Sequence, residues 1–102
     1  MPEFSTRRAD GCIRVAGDID VLTAPQLKSA LLEGSPRRAP LVVDISEVPF
    51  IDSSGLNVLF EVARRLPGDL VLLHPSRGVR RLFRTTGAER APGLTIVHDR
   101  AA

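Results

Sequence analysis

Two adjacent hydroxyls, Ser53 and Ser54, stand between Asp52 and Gly55, and their types and spacing invite chemistry more than any other group in the chain. A serine nucleophile needs a base such as histidine positioned on it; none is suggested near this pair, and Asp52 does not replace one, so hydrolysis is a poor reading. A serine can instead cap a helix, its oxygen accepting an orphan backbone N–H at a worth of about 1 kcal/mol, and a single serine suffices for that. A serine can also receive a phosphate, which brings roughly −1.5 to −2 charges to one residue. The other reactive groups offer less. His74 and His98 have no second His, Cys or carboxylate at a metal-ligand or triad spacing and read as structural or solvent-facing. Cys12 is the only cysteine, so a disulfide within the chain and a Cys-rich metal site are excluded; in a strand it reads as a small buried hydrophobe. Arg77, Arg80, Arg81 and Arg84 give a basic face that is either simply solvated or able to meet an acidic protein, nucleic acid or anionic lipid. Nucleic acid is the weakest of these, because neither interleaved aromatics nor a DNA-reading motif accompanies the arginines.

The elements that must position the serines follow from periodicity. Phe4 to Arg8 and Cys12 to Ala16 read as strands joined by the turn-forming pair Asp10-Gly11, which makes a hairpin. Thr23-Ala24-Pro25-Gln26 has the pattern of a capping box, with Pro25 tolerated in a first turn, and predicts a helix over Ala24 to Glu33 that buries Leu27 and Leu31. Gly34-Ser35-Pro36 stops it. Leu41 to Ile45 is a nearly continuous apolar run, as expected of a central strand covered on both faces. Leu56, Leu59, Phe60 and Ala63 then follow the i, i+3, i+4, i+7 pattern of a helix lying on a sheet, which Pro67-Gly68 ends. Leu70 to Leu73 form another strand, and Val79, Leu82, Phe83 and Thr86 repeat the helical spacing up to Gly87. Leu94 to Val97 form the last strand. Strands alternating with helices after a hairpin imply βαβ crossovers, hence an α/β class with a mixed sheet of four to five strands and one domain over residues 1–102.

Composition limits the function. With 102 residues there is room for one modest core and none for separate catalytic and substrate domains. The hydrophobic share is 43%, with four Phe and no Trp or Tyr, so aliphatic side chains fill the core and stacking surfaces for nucleic acid are scarce. A net charge of +2, from 14 basic and 12 acidic residues, predicts no strong general attraction to polyanions. No stretch has the length of a signal peptide and none approaches the roughly 20 apolar residues of a membrane span, so a soluble cytoplasmic protein is expected.

The segment Leu41-Val42-Val43-Asp44-Ile45-Ser46, a short loop, and then Phe50-Ile51-Asp52-Ser53-Ser54-Gly55-Leu56 resembles the signature of the STAS domain, in particular of bacterial anti-sigma factor antagonists. Ala16-Gly17-Asp18-Ile19-Asp20 is similar to that family's Gly-Glu-Ile-Asp segment, and the helix ending in Thr85-Thr86-Gly87 sits where the family has its last helix. Asn57 stands where many relatives have a second glycine, and the first strand is short and poor in apolar residues. The resemblance implies partner switching without catalysis, cofactor or metal. The unphosphorylated protein would bind an anti-sigma factor that is also a serine kinase, phosphorylation of Ser54 (with Ser53 as second choice) would end the association, and a PPM-type phosphatase would reverse it. Asp52, Ser53, Gly55, Leu56 and Asn57 would form the contact surface. Gly55 would let a partner approach the hydroxyl closely. Asp20 and Asp44, each read as ending an element, would share the rim or serve as turn and cap residues. Two other functions fit the same residues: an accessory subunit of a transport complex, with no phosphate turnover, and a nucleotide-binding sensor, which would lack a Gly-rich phosphate loop.

Overall fold

The chain begins with a hairpin because Asp10 and Gly11 both take positive φ, 51° and 79°, the mirror-image turn whose twist matches antiparallel strands. Strand β1 covers Ser5–Ala9 and β2 covers Cys12–Ala16. This computed structural model describes residues 3–37 and 39–98. After the hairpin come α1 (Ala24–Glu33), β3 (Leu41–Glu47), α2 (Ser53–Arg65), β4 (Leu70–Leu73), α3 (Arg77–Thr86), a short 3₁₀ turn and β5 (Leu94–Val97). The class expected from the sequence is the one observed.

The five strands lie in the order β1-β2-β3-β4-β5, antiparallel between β1 and β2 and parallel elsewhere, with β3 in the middle. Because each crossover advances by one strand in the same direction, right-handed connections place α1, α2 and α3 on a single face. Burial follows that rule. Ile13, Val15, Leu41, Val43, Ile45, Leu70 and Leu72 are buried under the helices, whereas Arg14, Val42, Asp44, Val71 and Leu73 alternate with them and stay partly or fully exposed. The expectation that β3 is covered on both faces is therefore corrected: the apolar run reflects one packed face and one half-covered face.

The helices close the core from above. Leu27 and Leu31 of α1, Leu56, Leu59 and Val62 of α2, and Val79 and Phe83 of α3 join one buried cluster with the inner row of the sheet. Phe60, expected in the packed stripe of α2, is only half-buried, and Val58 and Val62 complete the stripe instead. Gly87 ends α3 in the left-handed region at φ 77°, a conformation without penalty for glycine. Among the described residues, no helix is long and apolar enough to cross a membrane.

Candidate functional site

The serine pair is positioned by a zipper that continues the sheet beyond its strands. Gly17 N–H donates to the Glu47 carbonyl at 3.0 Å, Ile19 N–H to Phe50 at 2.9 Å, and Asp52 N–H back to Ile19 at 3.0 Å. An isolated parallel bridge joins Ile19 to Ile51. Two loops that leave neighbouring parallel strands are thus locked side by side at the carboxyl edge of the sheet. The start of α2 follows directly. Gly17 takes φ 92°, and a Cβ there would come within 2.7 Å of the Phe4 backbone, so the zipper begins at a position only glycine fills easily.

At the start of α2 the capping group is the Asp52 carboxylate. It has the extended backbone of an N-cap, its side chain accepts from the Gly55 N–H at 3.1 Å, and its carbonyl accepts the Leu56 N–H at 3.0 Å. Ser53 and Ser54 therefore occupy the first two helical positions and are not caps. Neither hydroxyl makes a hydrogen bond among the described residues, and the Ser53 and Ser54 N–H groups have no acceptor among them. Ser53 is exposed and Ser54 half-buried. Two hydroxyls and two free amides thus converge at the positive end of a helix dipole, where an anion is tolerated.

Gly55 and Leu56, placed on the contact surface by the sequence, are corrected to buried positions. A Cβ on Gly55 would overlap the Ile19 side chain and come within 2.9 Å of Ile51, so this glycine seats α2 on the zipper rather than opening a path to the serines. Asn57, one turn beyond Ser53, is exposed.

Asp20 and Asp44 part company. Asp20 sits in the loop beside the zipper, where its carboxylate accepts from Leu22 N–H at 2.9 Å and Thr23 N–H at 3.1 Å. It organises the entry to α1, which the expected capping box does not. Thr23 lies in the α region and makes no side-chain cap bond; its hydroxyl accepts from Asp20 N–H and donates to the Asp18 carbonyl, both at 2.9 Å. The acceptor meant for the helix is spent on the loop. Asp44 does not end an element. It lies within β3, points away from the helices, approaches Arg14 at 3.9 Å and accepts from Ser46 N–H at 2.8 Å, which removes it from the serine rim.

Three apolar side chains that the sequence reading did not assign to the contact surface complete the rim. Val21 and Leu22, in the loop before α1, are 67% and 85% exposed, and Phe50, just before the α2 cap, is 52% exposed. Their signal was available: each is a large hydrophobe in a turn segment, outside any helical or strand period. Apolar side chains held outward beside free polar groups suit a protein contact. Behind the rim, Lys28 of α1 donates to Glu61 of α2 at 2.7 Å, and Arg65 adds a contact at 3.1 Å. The Lys28 hydrogen bond is the main cause that holds the Glu61 carboxyl below its ordinary range, with Arg65 contributing less. His74 follows β4 and His98 follows β5. Among the described residues, no group of three His, Cys, Asp or Glu could hold a metal ion.

Comparison with known proteins gives a consistent picture. A family model described as Mlab, STAS domain matches residues 3–97. An anti-sigma-B factor antagonist of Listeria monocytogenes is 39% identical over 79 residues, covering 74% of this chain and 69% of the relative. The protein of the same name from Bacillus subtilis is 35% identical over 78 residues, covering 74% and 72%. Among solved structures, an anti-sigma factor antagonist from Mycobacterium paratuberculosis superposes with a TM-score of 0.72 at 29% identity, over 91% of this chain and 84% of that one. The unphosphorylated form of the anti-sigma factor antagonist SpoIIAA superposes with a TM-score of 0.63 at 22% identity, over 97% and 90%, a likeness of fold.

Proposed function

The chain belongs to the STAS domain family, and on that premise we propose that it is an anti-sigma factor antagonist whose partner contact is switched at Ser54. Unphosphorylated, the rim formed by Val21, Leu22, Phe50, Ser53, Ser54 and Asn57 binds an anti-sigma factor with serine kinase activity and so frees a sigma factor. A phosphate on Ser54 ends the association, and a PPM-type phosphatase restores it. The protein works in the cytoplasm and acts by binding, not by catalysis.

The observation that carries this reading is the division of labour at the start of α2. Because the Asp52 carboxylate caps the helix, the fold makes no use of either serine hydroxyl. A phosphate on Ser54 would lie beside free N–H groups at a helix N-terminus, so the domain tolerates it and remains folded. The cost falls on the complex. The new charge would sit beside Asp52 and oppose a surface that had received a neutral hydroxyl, with like-charge repulsion and desolvation both unfavourable. A penalty of about 3–4 kcal/mol corresponds to a hundredfold to thousandfold loss of affinity. Ser54 is preferred to Ser53 on the family resemblance, in which the second hydroxyl of the motif is modified.

The test is the state of the protein in its own cells. Intact and fragment masses, compared between growth and stress without overproduction, should show a fraction one phosphate heavier, with the phosphate on Ser54 and its amount changing with condition. Absence of that phosphate under every condition contradicts the switch and favours a constitutive subunit of a transport complex.

A further inference from the structure

Beside the rim, and sharing Phe50 with it, lies a second surface that holds neither serine. Pro49, Phe50 and Ile51 on one side and Val79, Leu82 and Thr85 of α3 on the other form a largely apolar groove of about 330 Å³ with Arg81 at its lip. That is the lower end of the size of small-ligand pockets, and the groove is open, which suits a protein side chain better than an enclosed ligand. Arg77, Arg81 and Arg84 fall at i, i+4 and i+7, so they run as one exposed stripe along the groove. Together with Arg80 they make no ion pair among the described residues.

Arg84 lies in the last turn of α3, where a cation suits the helix dipole, but the rest of the stripe works against its own helix. Arg77 occupies the first turn of α3, which contains no acidic residue, and a cation there opposes the helix dipole. The pairs Arg77/Arg81 and Arg80/Arg84 put like charges one turn apart, which weakens an isolated helix. A sequence that breaks local rules in this way, next to an apolar groove, signals a contact made elsewhere. We propose that the α3 groove is a second part of the partner interface, which receives an apolar side chain of the anti-sigma factor flanked by carboxylates that pair with Arg77, Arg81 and Arg84. This rests on the proposed antagonist function and adds the chemistry of the partner. Phe50 joins the two surfaces: it lines the groove and stands two residues before the Asp52 cap.

The experiment compares the wild-type chain with a triple variant, Arg77→Glu/Arg81→Glu/Arg84→Glu, and with Arg81→Glu alone in case the triple change disturbs folding. Each is titrated with the anti-sigma factor that the wild type binds, with and without phosphate on Ser54. The triple variant should lose at least tenfold in affinity, and wild-type affinity should fall more steeply with salt than that of Arg77→Gln/Arg81→Gln/Arg84→Gln. The thermal midpoint of the triple Glu variant should stay close to that of wild type, since removing the cation at the start of α3 offsets placing an anion in its last turn, a combination with lost affinity that simple damage to the fold would not give. Wild-type affinity in both Arg→Glu variants overturns the proposal. So does binding of phosphatidylglycerol vesicles or duplex DNA that depends on these arginines while anti-sigma factor binding does not. If the arginines matter but phosphate on Ser54 changes nothing, the switch fails and the groove stands. If the wild type binds no anti-sigma factor, both fail.

Discussion

Helix α2 opens on Ser53 and Ser54 and α3 is preceded by Ser76, yet the two starts are built on different terms. Ser76 is spent on the fold: its hydroxyl accepts from Val79 N–H at 3.4 Å and donates to the Val48 carbonyl at 3.2 Å, which ties α3 to the loop before α2. At α2 the carboxylate of Asp52 takes the capping role, and Ser53 and Ser54 are left without a structural task. A serine at a helix start is thus available for modification only where a neighbour already satisfies the backbone. One residue of offset decides which case applies.

The largest effect on stability is expected at the residue that seats α2. Gly55→Ala forces a Cβ into Ile19 and Ile51, and overpacking of this kind costs about 1–3 kcal/mol. Chemical denaturation should show it, and partner affinity should fall as well because the rim is displaced. A Gly55→Ala variant of wild-type stability would break the claim that the zipper positions the site.

Ser76→Ala comes next. Losing a cap and a loop tie together should cost about 1–2 kcal/mol, which for a domain of this size lowers the melting temperature by roughly 4–8 °C per kcal/mol. Its affinity for the anti-sigma factor should change little. Ser54→Ala sharpens the contrast from the other side: its stability should lie within about 0.5 kcal/mol of wild type, partner binding should persist, and release by the kinase should disappear. A large loss of stability in Ser54→Ala would show that the hydroxyl belongs to the fold after all.

The smallest effect concerns the tie behind the rim. Glu61 has its pKa lowered in the folded state, so the stabilisation it brings is present above the ordinary value of 4.5 and is lost as pH falls through the lower folded value. Both partners of the Lys28–Glu61 pair are substantially exposed, with side chains 36% and 35% accessible, so solvent and salt screen the contribution. Lys28→Gln should move the Glu61 titration, followed by NMR, back toward 4.5 while the melting temperature shifts only slightly. An unchanged titration would mean that Arg65 alone sets it.

Most of the fold was legible because its signals are local and periodic. The hairpin turn at Asp10-Gly11, the left-handed Gly87 and the centres of the stripes of α2 and α3 each depend on residues within a few positions, whereas Phe60 and Leu82, expected in those stripes, are half-buried and Thr86 is exposed. The strand order was not so local, and with it came the error about β3: an apolar run cannot report whether helices lie on one face or two, which depends on the direction of all three crossovers. At the site, the motif Asp52-Ser53-Ser54-Gly55 was readable, but the assignment of roles within it was not. Whether Ser or Asp caps is settled by a single residue of offset, and the use of Thr23 by Asp18 and Asp20 is settled by a loop geometry that no period encodes. Val21 and Leu22 escaped notice for the opposite reason, since they belong to no period at all, and Phe50 was read within the motif but not as part of the contact surface.

The decisive quantity is the affinity of one purified anti-sigma factor for two forms of this chain, unmodified and phosphorylated at Ser54, measured by calorimetry with circular dichroism of both forms alongside. The expected result is a hundredfold to thousandfold weaker complex for the phosphorylated form, about 3–4 kcal/mol, with identical helical content. Equal affinity of the two forms would contradict the switch, and a phosphorylated form that unfolds would contradict the claim that the start of α2 accommodates the phosphate.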